Sequence, residues 1–234
     1  MKTIAIVQAR MGSTRLPNKV MKTINSVPMI GLLLARLSQS KELDQIVVAT
    51  SIDAKNITLI EYVRALGYAC EQGSENDVLE RYVSVAKAHQ ADVVVRITGD
   101  CPLVDPELVD ECIRRFKIEQ VDYFSNISPA TYPDGLDIEV FTLASLETAM
   151  LESQDPFDHE HVTPYILNTD RFNKASMIND KDLSALRWTV DELDDFRVIT
   201  DVFKHFSPDI HFSWQRVLEL QNSHPLIFKS NQQI

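Results

Sequence analysis

The sequence predicts an α/β fold with a mostly parallel β-sheet covered by helices. Short apolar runs rich in β-branched residues alternate with longer segments of helical periodicity, which is typical of this fold class. Three of the runs are almost continuously apolar, as expected for strands buried on both faces of a parallel sheet. They are TIAIV at 3–7, QIVVATS at 45–51 and DVVVRITG at 92–99.

Helices are predicted where apolar residues recur three and four positions apart. This spacing indicates one helix over about 76–89 and another over about 192–206. A third helix is expected over 106–118, with Asp105 at its start. Asp191 follows another short predicted strand and directly precedes the helix at 192–206. It is therefore a candidate N-cap of that helix as well as a candidate site residue.

The middle of the chain is predicted to depart from the parallel pattern. Residues 123–141 contain two prolines and several turn formers before an alternating run, which indicates a loop leading into a strand. We expect a small antiparallel excursion that covers one side of the site. Residues 159–170 are predicted to begin a short helix, with Pro164 within its first turns. No segment marks a boundary, so residues 1–234 are expected to form a single domain.

The composition is that of an ordinary soluble protein with excess negative charge. Of the 234 residues, 44% are hydrophobic and 24% charged, and the formal net charge is −11. Such a field repels phosphate groups, so no nucleic-acid partner and no membrane partner is expected. No apolar run approaches the ~20 residues of a membrane span, and the N-terminal run is too short for a signal peptide. Three cysteines without metal-ligand spacing, Cys70, Cys101 and Cys112, favour reduced thiols in a cytoplasmic protein.

Positive charge is concentrated in one segment, QARMGSTRLPNK at 8–19, directly after the first predicted strand. Arg10, Arg15 and Lys19 surround a Gly-Ser-Thr turn there, and arginine and lysine side chains are the usual ligands of phosphate oxygens. The segment has a single glycine, Gly12, so it is neither a dinucleotide fingerprint nor a P-loop. A solvated surface loop is the alternative. The position favours an anion site, because ligands of open α/β sheets bind at the carboxyl ends of strands.

Acidic residues at predicted strand ends are candidates for a metal site. Asp100 ends the third apolar run, where a carboxylate could hold Mg²⁺, although a turn after Gly99 explains it equally well. Asp191 could be a second metal carboxylate or only a helix N-cap. HEH at 159–161 lacks the spacing of a zinc motif, so we expect no zinc there.

A second group of carboxylates alternates in PDGLDIEV at 133–140. Asp137 and Glu139 are expected to share one face of a strand, with Asp134 just before them. Carboxylates on a site-facing strand could bind sugar hydroxyls. A strand with one solvated face explains the same pattern equally well.

Seven segments, in order along nearly the whole chain, resemble the cytidylyltransferase-like proteins of surface-polysaccharide synthesis. The similarity is greatest to the SpsF branch of spore coat polysaccharide proteins, which is akin to the acylneuraminate and 3-deoxy-manno-octulosonate cytidylyltransferases. The segments are QARMGSTRLPNKV, VVATS, GSENDVLERY, VRITGDCPLVDP, YPDGLDIEVF, HEHVTPYI and RWTVDELDD.

The resemblance implies a three-layer α/β/α, Rossmann-like nucleotide-diphospho-sugar transferase fold. It implies a nucleotidylyltransferase that makes a CMP-sugar from CTP and a keto-sugar acid, with release of pyrophosphate, Mg²⁺ as cofactor and a homodimeric assembly. The alternatives are a sugar-1-phosphate nucleotidylyltransferase that uses another triphosphate, a glycosyltransferase, or a non-catalytic nucleotide-binding relative. Glycosyltransferases of this fold usually carry a DxD-like pair at a strand end, whereas this chain has GDCP.

The resemblance also implies roles for particular residues. Arg15, Lys19 and Asp100 would be catalytic, and Asp100 and Asp191 would hold the metal. Asn18 stands where relatives commonly have glycine, and asparagine also tolerates left-handed backbone angles. The triphosphate loop would comprise Arg10, Gly12, Ser13, Arg15 and Lys19, the nucleoside would lie near Thr50 and Ser51, and the sugar would lie near Asp134, Gly135 and Asp137.

Overall fold

The three predicted apolar runs form strands of one sheet, as expected. The computed structural model describes residues 1–231. Its strands are β1 (Thr3–Gln8), β2 (Thr23–Ile24), β3 (Val27–Pro28), β4 (Gln45–Ser51), β5 (Ala69–Gly73), β6 (Val93–Thr98), β7 (Tyr123–Ser125), β8 (Glu139–Thr142) and β9 (Lys174–Ser176).

The main sheet has seven strands in the order β5-β4-β1-β6-β8-β7-β9, and β2 and β3 form a separate hairpin. β1 lies between β4 and β6 and is parallel to both, with Ile6 opposite Val47 and Arg96. β8 is antiparallel to both of its neighbours. The predicted antiparallel excursion therefore belongs to the main sheet, and the predicted α/β fold is confirmed. The loops that follow β1 and β6 meet at one edge, because these strands are parallel.

Helices pack on both faces of the sheet. Along β1, Ala5 and Val7 join one buried apolar cluster. Ile4 and Ile6 join a second cluster, because successive side chains of a strand point to opposite faces. Within residues 1–231, no helix combines the length and the apolar character needed to cross a membrane. The α-helices are α1 (Met29–Leu37), α2 (Ile57–Ala65), α3 (Val78–Ala88), α4 (Pro106–Glu119), α5 (Leu143–Glu152), α6 (Pro156–His161), α7 (Pro164–Asn168), α8 (Leu193–Phe206) and α9 (Trp214–Ser223).

The three predicted helices correspond to α3, α4 and α8, within two residues at each end. Asp105 is the N-cap of α4, as predicted. Its Oδ1 accepts hydrogen bonds from the backbone N–H groups of Glu107 and Leu108, at 2.9 and 3.3 Å. These bonds satisfy donors that have no partner within the helix.

Two predictions about Asp191 are wrong. The segment 186–190 before it is not a strand, because it makes only a single bridge, from Arg187 to Asp134. The N-cap of α8 is Glu192, and Asp195 accepts the backbone N–H groups of Asp191 and Glu192, each at 2.9 Å. The carboxylate of Asp191 instead pairs with Lys19, Arg15 and Arg187 and does not cap the helix.

The prediction of a short helix in 159–170 with Pro164 in its first turn is correct for α7, but the expected start of that helix at HEH is wrong. HEH forms the end of α6, and Pro164 is the first residue of α7. Proline has no backbone N–H and its ring clashes with a preceding helical carbonyl, so the first helix ends before it. Val162 between the two helices has φ 75° and ψ −53°, and the N–H of Thr163 donates to the carbonyl of His161 at 2.9 Å. This three-residue hydrogen bond is that of a γ-turn.

Asp137 and Glu139 do not share a strand face, contrary to the prediction. β8 begins only at Glu139, whose side chain is 2% exposed, and Asp137 lies in the preceding loop. The Glu139 carboxylate pairs with the Arg96 guanidinium and accepts the hydroxyl of Tyr123 at 2.7 Å. A buried cation across the strand pair thus directs Glu139 into the sheet rather than towards a ligand.

Candidate active site

A cleft of about 630 Å³ opens beside the loop that follows β1 and the residues that follow β6. This position agrees with the rule that ligands of open α/β sheets bind at the carboxyl ends of strands. Seven of the predicted site residues line it, namely Arg10, Gly12, Ser13, Arg15, Lys19, Asp100 and Asp191.

The cationic loop has a defined conformation. Asn18 adopts φ 59° and ψ 24°, the left-handed region that the sequence led us to expect asparagine to tolerate. Its N–H donates to the carbonyl of Met11 at 3.2 Å, which closes the loop. The N–H of Met11 in turn donates to Oδ1 of Asn56 at 2.8 Å. These bonds hold the turn at 12–15 along the cleft and place Lys19 at the start of a short 3₁₀ helix.

Lys19 lies between the two predicted metal carboxylates. Its Nζ donates to Oδ2 of Asp100 at 2.9 Å and to Oδ1 of Asp191 at 3.0 Å. The third hydrogen bond goes to the carbonyl of Val190, at 2.8 Å. The other carboxylate oxygen of Asp191 pairs with Arg15 Nη2 at 3.0 Å. Residues predicted separately, from the loop and from two distant segments, therefore meet in one ion-pair network.

The charges of this network stabilise one another. Burial disfavours the Lys19 ammonium, but Asp100 and Asp191 outweigh burial and raise the pKa of Lys19. Burial likewise disfavours the Asp191 carboxylate, but Lys19, Arg15 and Arg187 outweigh it and lower the pKa of Asp191. The ammonium and the Asp191 carboxylate are both charged at neutral pH.

Arg187 is a residue of the site that the sequence analysis missed. Its guanidinium donates to Oδ2 of Asp191 and Oδ2 of Asp134, each at 3.2 Å. Two further bonds, of 2.9 and 3.0 Å, reach the carboxylate of Asp195. Arg187 therefore links the predicted sugar side to the predicted metal side. Its signal in the sequence was a lone cation in RWTVDELDD, four residues before Asp191.

Thr50 and Ser51 are buried at the carboxyl end of β4 and do not line the cleft. The hydroxyl of Ser51 accepts from Nδ2 of Asn56 at 2.8 Å, and Asn56 supports the loop through Met11. Ser51 is thus linked to the loop through Asn56, and a role of these two residues near a nucleoside stays a prediction.

The predicted sugar-side residues lie outside the cleft. Asp134 lines a second, smaller cavity of about 220 Å³ together with Arg187. Gly135 adopts φ +106°, and a Cβ there would stand 2.5 Å from the backbone nitrogen of Thr189. Only glycine fits this close approach of two chain segments. Burial, with a contribution from Asp134, raises the pKa of Asp137 to about 7.

The pKa of Asp137 predicts a pH-dependent stability. Between its ordinary value of 3.8 and about 7, the folded protein retains a proton that the unfolded chain loses. The contribution of Asp137 is therefore favourable at low pH and is lost as the pH rises through about 7. We expect Asp137→Asn to raise Tm relative to wild type more at pH 8 than at pH 5, measured by thermal unfolding. The exposed Asp201→Asn should show no such trend, and an equal difference at both pH values for Asp137→Asn would contradict the assignment.

The cleft also contains residues to which the sequence analysis gave no role. Arg81, 4% exposed, lines it, and its Nη1 donates to the carbonyl of Ser74 at 2.6 Å. Glu160 and His161 of HEH line it too, whereas His159 pairs with Asp77 at 2.8 Å. HEH lacks the spacing of a zinc motif, and its pattern does not by itself indicate that Glu160 and His161 line a cleft. Within residues 1–231, no group of three or more metal-ligating side chains could hold a metal by itself.

Comparison with known proteins identifies the family to which the chain belongs. The sequence model of the cytidylyltransferase family matches residues 4–174, well over half of the chain. The chain belongs to the cytidylyltransferase family. It is accordingly a nucleotidyltransferase.

Two proteins similar to this cytidylyltransferase match it over almost its whole length. The spore coat polysaccharide biosynthesis protein SpsF of Bacillus subtilis is 31% identical, with 94% of each chain covered. A cytidylyltransferase of known structure from Leptospira borgpetersenii is 34% identical, with a TM-score of 0.95 over 100% of this chain and 99% of the other. The resemblance seen in the sequence is thus confirmed.

A more distant structure supports the fold of this cytidylyltransferase alone. CMP:2-keto-3-deoxy-manno-octonic acid synthetase, solved in complex with CTP, is 17% identical and has a TM-score of 0.67. The match covers 88% of this chain and 99% of the synthetase. The predicted Rossmann-like nucleotidyltransferase fold is therefore confirmed.

Proposed function

We propose that this nucleotidyltransferase makes a CMP-sugar from CTP and a keto-sugar acid, with release of pyrophosphate. The observation that carries the proposal is the Lys19–Asp100–Asp191 network, set beside a cationic loop in the cleft of a cytidylyltransferase. The names of the relatives support the product class, since one of them acts in polysaccharide biosynthesis and another makes a CMP-sugar acid.

The loop residues are proposed to bind the triphosphate. The side chains of Arg10 and Arg15 are 49% and 56% exposed, and both line the cleft. Each rigid guanidinium group can donate hydrogen bonds to two phosphate oxygens, and Lys19 adds a third positive charge. The leaving pyrophosphate carries the charge that develops in the reaction, so cations positioned beside it stabilise the transition state.

Asp100 and Asp191 are proposed to hold a divalent cation, and their donor chemistry fits one. The Lys19 ammonium, a cation itself, is surrounded by three oxygens at 2.8–3.0 Å. Mg²⁺ prefers oxygen ligands and is usually held by one or two carboxylates together with substrate phosphates. When bound, it would reduce the negative charge that a nucleophile meets at the α-phosphate.

The residues of the sugar side are proposed to position the keto-sugar acid, which is the acceptor of the nucleotidyl group. A hydroxyl of the sugar acid attacks the α-phosphorus in line and forms the new oxygen–phosphorus bond. Pyrophosphate leaves with the electron pair of the broken bond, and the hydroxyl proton passes to solvent. Asp134, Gly135 and Asp137 are proposed to face the sugar side, with Arg187 connecting Asp134 to the cleft at Asp191.

The chemistry of the thiols supports a cytoplasmic location. All three cysteines are buried and free, and burial raises the pKa of Cys70 to about 11 and of Cys112 to about 12. Such thiols are inert and belong to the reduced state that we propose. We also propose a single domain over the whole chain, a homodimer, and no nucleic-acid or membrane partner, in keeping with the net charge of −11.

Pyrophosphate release tests the proposed reaction. Each of CTP, UTP, GTP and ATP should be paired with a panel of keto-sugar acids and sugar 1-phosphates. We expect release with CTP and a keto-sugar acid, at a kcat/KM above that of any other pairing. Release with another triphosphate and a sugar 1-phosphate would replace this proposal by the second nucleotidylyltransferase class. No pyrophosphate under any pairing, with nucleoside diphosphate freed from a nucleotide sugar instead, would indicate a glycosyltransferase.

A further inference from the structure

Lys19 has no free donor in this structure. An ammonium has three N–H groups, and the three bonds to Asp100, Val190 and Asp191 use all of them. The residue is 9% exposed, so water competes little for these bonds. In this arrangement Lys19 occupies the position between the two carboxylates, rather than extending towards the cationic loop.

A divalent cation and Lys19 would compete for the same oxygens. Mg²⁺ coordinates oxygen at about 2.0–2.1 Å, much closer than a hydrogen-bonded ammonium, and the two cations would repel each other at that distance. Arg15 and Arg187 already hold the second oxygen of Asp191, at 3.0 and 3.2 Å. The acidic pair is therefore neutralised by the chain's own cations before any ligand binds.

The placement of Lys19 lets it change partners. It lines the cleft together with Arg10 and Arg15, and its flexible stem ends in a point charge. A triphosphate bound along the loop would bring several negative charges to that cleft. Its phosphates offer the ammonium new acceptors and also supply the oxygens that complete the coordination of a divalent cation.

We propose that Lys19 is the resident cation of the Asp100–Asp191 pair in the free protein, and that a bound triphosphate withdraws it, so that a divalent cation binds only with the nucleotide. This inference rests on the proposed function, because it takes the two aspartates as the metal carboxylates. It gives Lys19 a second role besides phosphate binding. Lys19 excludes the metal from the free enzyme, so the divalent cation can bind only once the nucleotide has bound.

Manganese binding to the nucleotide-free protein tests the proposal. We compare wild type with Lys19→Met by electron paramagnetic resonance of free Mn²⁺, without CTP and without acceptor. Wild type should bind Mn²⁺ weakly, and Lys19→Met should bind it at least about tenfold more tightly, because the repelling charge is gone. Adding Asp191→Asn to Lys19→Met should remove the gain, which identifies the carboxylates as the ligands.

Two controls separate local from general effects of charge. Lys19→Arg keeps a cation between the carboxylates and should bind Mn²⁺ as weakly as wild type. Lys204→Met removes an exposed charge outside the cleft and should also leave Mn²⁺ affinity unchanged. Equal Mn²⁺ affinity of wild type and Lys19→Met, or tight binding by nucleotide-free wild type, would overturn the proposal.

A measurement on wild type covers the case in which Lys19→Met does not fold. The ¹⁵Nζ resonance of Lys19, assigned by its loss in Lys19→Arg, should shift on addition of CTP without metal. An unchanged resonance at saturating CTP would refute the withdrawal of Lys19. Mn²⁺ binding without nucleotide and pyrophosphate release from CTP are independent readouts, so failure of this inference is distinguishable from failure of the proposed reaction.

Discussion

Replacing Asp100 by asparagine should lower kcat/KM for pyrophosphate release by at least about 10²–10³-fold, the cost of losing one preorganised electrostatic group. The amide has nearly the shape of the carboxylate but lacks its charge. It therefore cannot hold a divalent cation as a carboxylate does, and it also weakens the pairing with Lys19 Nζ, now at 2.9 Å. Asp191 remains as a partner of Lys19, at 3.0 Å, so the ammonium is not left uncompensated.

The Asp100→Asn variant should nevertheless fold. Its Tm should stay close to that of wild type, because the side chain sits at a cleft and is not part of the apolar core. Asp201→Asn is the matched control, since it makes the same chemical change at an exposed site on α8, where Asp201 pairs with Lys204. Near-normal kcat/KM in Asp100→Asn, with full activity in the control, would exclude Asp100 from the role proposed for it.

The second large effect is expected on stability, from Glu139→Gln. Breaking a buried ion pair by removing one charge typically costs about 3–5 kcal/mol, because the other charge stays buried without a partner. Glu139 and Arg96 have side chains that are 2% and 16% exposed, so neither reaches water readily. We expect the free energy of unfolding, measured by urea denaturation, to fall by an amount in that range of about 3–5 kcal/mol.

An exposed pair provides the comparison for Glu139→Gln. Glu111 pairs with Arg114 on the surface of α4, where both side chains are about half exposed. Water screens such a pair, so Glu111→Gln should shift the urea midpoint very little. A shift in Glu139→Gln as small as that of the control would mean that the buried guanidinium finds other partners, such as Oε1 of Gln8 at 3.3 Å.

The strands and helices that were predicted correctly each have a sequence signal that is local. β1, β4 and β6 each carry four apolar residues, as expected for strands with helices on both faces of the sheet. α3, α4 and α8 show a periodic apolar face, and Asp105 caps the nearest free backbone donors. Each of these signals lies within a few residues of the structure it predicts.

The predictions that failed have both distant and local causes. The sequence pattern makes Glu139 a candidate site residue. The structure instead pairs it with Arg96, 43 positions away in the chain. Asp191 is a candidate N-cap because it directly precedes α8, but the N-cap is Glu192, and Asp195 accepts the backbone N–H groups of Asp191 and Glu192. Nothing local distinguishes a carboxylate that caps from one that faces a cleft.

The sequence by itself determined the α/β class, the family and the cationic loop with Asp100 and Asp191 as its acidic counterparts. These depend on apolar periodicity and on motifs, which are read over short stretches of chain. Only the tertiary structure decided that Lys19 lies between the two aspartates, one of them 172 residues away, and that Arg187 connects Asp191 to Asp134. The reason is that strand order and helix packing determine which distant charges meet. Burial and ion pairing act on the pKa values of Lys19 and Asp191 only after the chain has brought these charges together.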